Sequence, residues 1–277
     1  MEKTPTTVGR ERVMLMGPDR VFYLGLLGTP SLRNCGALTL YIALEKPFRL
    51  CLDGRHWSSH ELAVVPPYAA HRIETDEPLI GAIVIEPESV DSARLPAMFG
   101  PALNGREDLE AIARIRSAYR YLQTIGDGAT VAGLDADRLF FGQELPARRL
   151  EPRIAAIVEK IKHNPAGSYT AEECAQEAGL SFSRFLHLFK DEVGVTFRRF
   201  RAWKRARSVL YHVTRSGTLT DVALDVGYPD STYFSHSIRQ VYGLQPKEIF
   251  AGSRRLAILL QESAHSRCGR EPLGAVS

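Results

Sequence analysis

One pattern occurs twice in the second half of the chain, and it restricts the fold more than any other feature. Thr170, Glu173, Ala175, Ala178, Gly179, Leu180, Phe185, Phe189 and Gly194 are matched by Thr218, Asp221, Ala223, Val226, Gly227, Tyr228, Phe234, Ile238 and Gly243. The offset is 48 residues up to the glycine turn and 49 beyond it. A threonine followed three residues later by an acid reads as a capping box at a helix start. The alanines leave room for a second helix to pack close. Each glycine suits a turn that needs a left-handed backbone. Ser181 and Asp230 are placed to cap the helix that follows. Phe185 and Phe189, like Phe234 and Ile238, stand four apart and so share one buried helix face. Helix, short glycine turn, helix is the order of a helix-turn-helix, and two copies in register predict two such units.

Between the copies the spacing predicts a further helix over 197–213. Six of the ten residues from 198 to 207 are basic (Arg198, Arg199, Arg201, Lys204, Arg205 and Arg207), with Phe200 and Trp203 interleaved. Positive charge without acids across three turns points to phosphates as the counter-charge, while Trp203 reads as core. The wider charge balance agrees. Residues 151–255 carry 16 Lys+Arg against 11 Asp+Glu, and residues 1–150 carry 17 against 19. A basic half next to a near-neutral one suggests a nucleic-acid partner. Upstream, Ile154, Ile157, Val158 and Ile161 form an apolar helical stripe that Asn164-Pro165 ends.

Residues 151–252 resemble the C-terminal domain of the AraC/XylS family of transcription regulators. The resemblance rests on Ala175-x-x-Ala178-Gly179-Leu180-Ser181, Phe185-x-x-x-Phe189-Lys190 and Gly194, then on Ala223-x-x-Val226-Gly227-Tyr228, Tyr233-Phe234-Ser235 and Tyr242-Gly243-Leu244-Gln245-Pro246. It implies a regulator of double-stranded promoter DNA whose two recognition helices enter successive major grooves, with RNA polymerase as a further partner. By position the first recognition helix offers Ser183, Arg184, Leu186 and His187 to bases. The second offers Ser231, Thr232, Tyr233, Ser235 and His236. Phosphate contacts are expected from Arg198, Arg199, Arg201, Lys204, Arg205 and Arg239, with Arg184 able to serve either role. Activation and repression are equally compatible with these residues.

The first half reads differently. Leu38, Leu40, Ile42 and Leu44 alternate at period two, as do Phe48, Leu50 and Leu52 before the Asp53-Gly54 turn, and Leu79, Gly81, Ile83 and Ile85. Gly28-Thr29-Pro30, Pro66-Pro67 and Glu86-Pro87 break these runs. Short strands with frequent turns predict a β-barrel or sandwich. A helix is expected over 107–123, from Leu109, Ile112, Arg116, Tyr119 and Leu122 widened by Ala113, Ile115 and Ala118. A linker is expected over 124–149. The resemblance implies a cupin-like sensing and dimerisation domain here, and Val64 to Arg72 is similar to that family's Pro-x-x-x-x-His strand entry. The expected fold class is therefore α+β with two domains. A cupin-like β-barrel with flanking helices spans 1–147, and an all-α domain with two helix-turn-helix units joined by a linker helix spans 148–255. A tail over 256–277 extends a helix at first. Tyr23, Tyr41, Trp57 and His71 are candidates to line a pocket for a small organic effector, and the 107–123 helix is a candidate for pairing in a homodimer.

Other function classes find less support. A metal-dependent cupin enzyme would draw ligands from His56, His60, His71 and Glu74, but a His-x-His pair is missing, so neither metal nor cofactor is expected. Phosphate-loop, nucleophile-elbow and His-Glu-x-x-His motifs are absent from the sequence, which argues against an enzyme. A regulator working mainly through protein contact is the other alternative. Cys35, Cys51, Cys174 and Cys268 lack metal-ligand spacing and are expected as unpaired thiols. No apolar run reaches membrane-spanning length and Met1 to Arg12 has no apolar core, so a cytoplasmic location away from membranes is expected.

Overall fold

The computed structural model describes residues 12–27, 31–95, 109–125, 131, 133–212, 218–253 and 256–261. The expected breaker at 28–30, the start of the helix at 107, Gly126 and Gly128, Cys268 and the tail from 262 lie outside them. Strands β1 (Arg12–Met16), β2 (Arg20–Gly25), β3 (Leu38–Ile42), β4 (Phe48–Cys51), β5 (Ser58–His60), β6 (Leu62–Val65), β7 (Arg72–Glu74) and β8 (Ile80–Ile85) build the first half. With β9 (Leu256–Leu260) from the far end of the chain, they form two open sheets rather than the expected closed barrel. One has six strands in the order β6-β3-β8-β2-β1-β9 and the other three in the order β5-β4-β7. The α+β class and the division into a sheet-rich part and a helical part stand.

Period-two alternation predicts one buried face, and Leu40, Ile42, Ile83 and Ile85 supply it. Helices α1 (Leu109–Thr124) and α2 (Ala136–Phe141) cover that face. Ile112, Ile115, Tyr119 and Leu122 of α1 point inward, whereas Leu109 and Ala113 are exposed. Tyr119 donates to the Ala82 carbonyl at 3.1 Å, which satisfies a hydroxyl in an otherwise apolar core. Helix α2 corrects the expectation of a plain linker. Phe140 stacks on Phe22 with centroids 4.2 Å apart, and Asp137 pairs with Arg20.

The other face of the large sheet is covered too. Thr39 and Tyr41 are buried although they alternate with Leu40 and Ile42: Tyr41 packs with Phe48, Leu50 and Ile73 of the small sheet, and farther along the same face Met14, Val21 and Val84 pack with Leu210 and Ile249 of the helical half. That half comprises α3 (Pro152–His163), α4 (Ala171–Glu177), α5 (Phe182–Val193), α6 (Phe197–Ser208), α7 (Leu219–Asp225), α8 (Ser231–Tyr242) and α9 (Pro246–Ser253). A 3₁₀ turn at Val209–His212 continues α6.

The start of the expected tail requires a further correction. Strand β9 runs parallel to β1, from Arg12↔Leu256 to Met16↔Leu260. Ala257 and Leu259 enter the core beneath α1, and Ile258 packs with Met14 and Met16 on the opposite face. A run of five apolar residues, Leu-Ala-Ile-Leu-Leu, suits a strand buried on both faces as well as a helix. The open edge of β1 decides between them.

Candidate nucleic-acid interface

Both repeats fold as the sequence pattern requires. Thr170 accepts from the Glu173 amide while Glu173 accepts from the Thr170 amide, and Thr218 and Asp221 do the same. These hydrogen bonds hold both acids below their usual carboxylate pKa: the Thr170 amide bond is the main cause for Glu173 and the Thr218 hydroxyl for Asp221. Gly179 and Gly227 carry φ of +64° and +80° in the turns. Ser181 accepts from the Arg184 amide and Asp230 from the Tyr233 amide, capping α5 and α8. Gly194 and Gly243 end those helices in the left-handed conformation.

Helices α3, α4 and α5 and the first turn of α6 enclose one core. In it Phe185, Phe189, Phe197 and Phe200 meet edge to face or tilted, with centroids 5.3 to 5.7 Å apart. Helices α7 and α8 enclose a second core around Val222, Ala223, Phe234 and Ile238, with Ala206 and Val209 contributed from α6 and its 3₁₀ extension. The two units touch: a Cβ on Gly227 would lie 2.8 Å from the Ala166 carbonyl oxygen. The second turn therefore seats against the loop between α3 and α4.

Each buried pair leaves an outward face. On α5, Ser183, Arg184 and His187 are exposed and Leu186 is half-buried. On α8, Ser231, Thr232, Tyr233, Ser235, His236 and Arg239 are exposed. Every base-contact candidate except Leu186 is thus open to solvent, on two capped and rigidly seated helices.

The basic helix α6 divides into two faces. Arg198 is exposed. Arg201 donates to the Gly167 carbonyl at 3.1 Å, and Arg205 lies over the Tyr228 ring at 5.7 Å. Burial, then the Arg205 charge, lowers the Arg201 pKa. These two arginines stand at the junction of the helix-turn-helix units. The opposite face meets the sheet. Arg199, at the exposed margin of that face, lies over the Tyr68 ring at 5.3 Å, Tyr68 itself being held at φ 61°. Trp203 Nε1 donates to Glu86 Oε2 at 2.6 Å, and a Cβ on Gly36 would lie 2.5 Å from Trp203 Cγ.

Lys204 corrects the phosphate assignment. It is buried, donating to both Glu86 and Glu88, with Arg207 Nε 3.4 Å from Glu86 Oε1 beside it. Burial opposes the Lys204 charge, and the two carboxylates more than offset this and raise its pKa. Glu88 shifts up because burial penalises its charge. Sequence spacing could have flagged Glu86 and Glu88 as acids bordering a strand, but nothing in it links them to a lysine 118 and 116 residues away.

The effector-pocket candidates separate. A cavity of about 260 Å³ lies between the large sheet and the second helix-turn-helix unit, not inside a barrel. Tyr23, Tyr41 and Val84 line the sheet side, and Leu210, Tyr242 and Ile249 the helical side. Trp57 and His71 do not line it. Trp57 sits at the surface under Arg49, 5.5 Å from its guanidinium. His71 is buried behind Tyr41, whose hydroxyl is 2.9 Å from Nε2, while Nδ1 is 2.9 Å from the Ala69 carbonyl. Burial lowers the His71 pKa and raises that of Tyr23 to about 12. The residues weighed as metal ligands face separate partners: His56 pairs with Asp53, His60 with Ser58 and Glu74 with Arg49. Among the described residues no three His, Cys, Asp or Glu side chains converge. No described helix is long and apolar enough to cross a membrane.

The helix-turn-helix domain family matches residues 174–252. The C-terminal domain is a helix-turn-helix domain of the AraC family. Transcriptional activator RhrA of Rhizobium meliloti is 28% identical over 120 residues, 42% of this chain and 37% of that protein. The arabinose operon regulatory protein of Escherichia coli is 30% identical over 105 residues, 37% of this chain and 36% of its own length. The chain thus matches little more than a third of these AraC-type relatives. Both halves are covered by the structure of an apo point variant of ToxT from Vibrio cholerae, with a TM-score of 0.53 at 11% identity over 84% of this chain and 97% of that one. A structure of unsaturated fatty acid bound ToxT gives the same TM-score at 12% identity, over 85% and 96%. These likenesses extend the shared fold of the AraC-type domain to the sheet-rich half.

Proposed function

We propose that the chain is a DNA-binding transcription regulator, with α5 and α8 as recognition helices and a small-molecule effector as its signal. The observation that carries this reading is the pair of capped helix-turn-helix units with exposed polar faces, joined by α6 and seated on each other at Gly227 and Ala166. Two rigid readers on one connecting helix suit two blocks of sequence about one helical turn apart. Base contacts are assigned to Ser183, Arg184, Leu186 and His187, and to Ser231, Thr232, Tyr233, Ser235 and His236. Phosphate contacts are assigned to Arg198, Arg199 and Arg239, which are exposed, with Arg201 and Arg205 at the junction of the units. Residues 1–147 with β9 form the sensing part, and the cavity beside Tyr23 and Tyr41 receives the effector. Its position between the domains supports this assignment, because occupancy there touches α8 and α9 directly. The fatty acid bound to ToxT is a precedent within the fold. RNA polymerase is the downstream partner, and the outer face of α1 is the surface for a homodimer.

Capture of genomic fragments by the purified chain at several salt concentrations tests the reading. A few fragments sharing two blocks, with affinity falling steeply with salt, are expected. Uniform recovery of all fragments would reject sequence-specific regulation.

A further inference from the structure

The two recognition helices share a fold and differ in chemistry. Phe182 is the first residue of α5 and Ser231 the first residue of α8. With the repeat offset of 49 residues beyond the glycine turn, Ser183 corresponds to Thr232, Leu186 to Ser235 and His187 to His236. A hydroxyl and an imidazole are thus kept in both helices. At the other two positions α5 carries a phenyl ring and a leucine where α8 carries two serines. Phe182 and Leu186 stand four apart, so they form one apolar edge of the helix, beside Ser183 and His187.

Neither capping nor core packing accounts for the Phe182 ring, which is 46% exposed. Ser181 caps the helix through the Arg184 amide. The apolar pair that brackets a helix start is supplied by Leu180 and Phe185, both packed in the first core. Phe182 is outside that core, and its exposed neighbours on the helix are Ser183, Arg184 and His187. The first residues of a recognition helix are the ones that meet base edges in the major groove. The uncovered ring therefore lies within the reading surface.

We propose that Phe182, backed by Leu186, is a specificity-determining residue that reads the C5 methyl group of thymine in the DNA block bound by α5. This rests on the assignment of α5 as a recognition helix and names the base edge that it selects. A phenyl ring has no hydrogen-bonding group to offer the donors and acceptors of the major groove, and the thymine methyl is the apolar group displayed there. Insertion of an apolar wedge between base steps belongs to proteins that bind the minor groove. Ser231 and Ser235 can donate or accept and so can serve several base edges. The block under α8 carries no such demand for thymine. The readers repeat, but the two blocks that they select are unlike.

Replacing thymine by deoxyuridine removes that methyl group and leaves the hydrogen bonds of the base pair in place. The test titrates the full chain against a fragment recovered by genomic capture, with each thymine of the two blocks replaced in turn. At least one replacement is expected to weaken binding about fourfold, the scale of one methyl group withdrawn from apolar contact. That penalty is expected to be largely lost in Phe182→Ala and to persist in Ser231→Ala. Alanine suits an exposed position in a helix, so the Phe182 variant keeps the fold. No penalty at any thymine, or captured fragments without thymine in either block, overturns the inference and leaves the regulator reading standing. A penalty of full size in Phe182→Ala overturns it as well. Recovery of fragments without selectivity removes the regulator reading, and this inference with it.

Discussion

Lys204 Nζ donates to Glu86 Oε2 at 2.6 Å across the boundary between the sheet and the helix that joins the two DNA-reading units. A lysine from the most basic stretch of the chain thus serves as the buried counter-charge of a strand end. It ties the orientation of α6 to β8 and to the 3₁₀ turn at Pro87–Ser89.

Replacing Lys204 by methionine is expected to destabilise the protein by about 3–5 kcal/mol, because Glu88 would remain buried without its counter-charge while Glu86 kept only Trp203 and Arg207. Adding Glu86→Gln and Glu88→Gln should recover most of that loss. Urea unfolding of the single and triple variants measures it. A single variant of unchanged stability whose DNA binding depends less on salt would return Lys204 to the phosphates.

Arg198 and His236 should behave differently in DNA binding. Arg198→Ala is expected to weaken all sequences alike and to reduce the salt slope by about one. His236→Ala, and likewise His187→Ala, is expected to cost about 1–3 kcal/mol at one base position and to relax preference there. Binding titrations against a library randomised at each block distinguish these effects. Unchanged base preference in both histidine variants would refute the assigned reading faces.

The sheet should lose stability in mild acid through His71. Its pKa is lowered in the folded state by burial, so below the ordinary value of about 6.5 the unfolded chain takes up a proton that the folded chain does not. Stability from this group is therefore complete above a pH of about 6.5 and falls as the pH drops toward the folded pKa. Thermal unfolding from neutral to mildly acidic pH should show this slope in the wild type, and a shallower one in His71→Asn.

Strand β9 should matter more to the sheet than to the helices. Leu259→Ala is expected to cost about 2–5 kcal/mol, as a fully buried leucine truncated in a core. Removing 256–277 should leave β1 an unpaired edge. Hydrogen exchange of the β1 and β2 amides would rise in the truncated chain, with α4 and α5 still protected. Equal protection of β1 in both chains would show that β9 adds nothing to the sheet.

Local chemistry made the helix-turn-helix units legible. Caps at Thr170 and Thr218, glycines at the left-handed turns and apolar residues four apart are satisfied within each unit of the repeat. The chain order alone therefore places them. The class of the first half was readable for the same reason, since alternation at Leu38 to Ile42 reports strands whatever they pack against. Closure into a barrel was not, because it depends on which strands pair at the edges, and β9 arrives from the far end of the chain. Helix α2 escaped for a related reason: six residues between glycines carry too little periodicity to register.

The roles of individual charged and aromatic side chains required the tertiary structure. Sequence determined that two helix-turn-helix units flank a basic helix and follow a sheet-rich half. It could not determine which face of that helix meets solvent, because helical spacing places Arg199, Trp203 and Arg207 on one side and Arg201 and Arg205 on another without saying what lies opposite. Packing against Glu86 and Glu88 decided that Lys204 is buried. Packing of α8 and α9 on the sheet decided that Tyr23 and Tyr41 line a cavity while Trp57 does not. Such outcomes depend on contacts between residues far apart in the chain. Local propensity carries no record of such contacts, and burial changes the free energy of a charge by several kcal/mol according to what it meets.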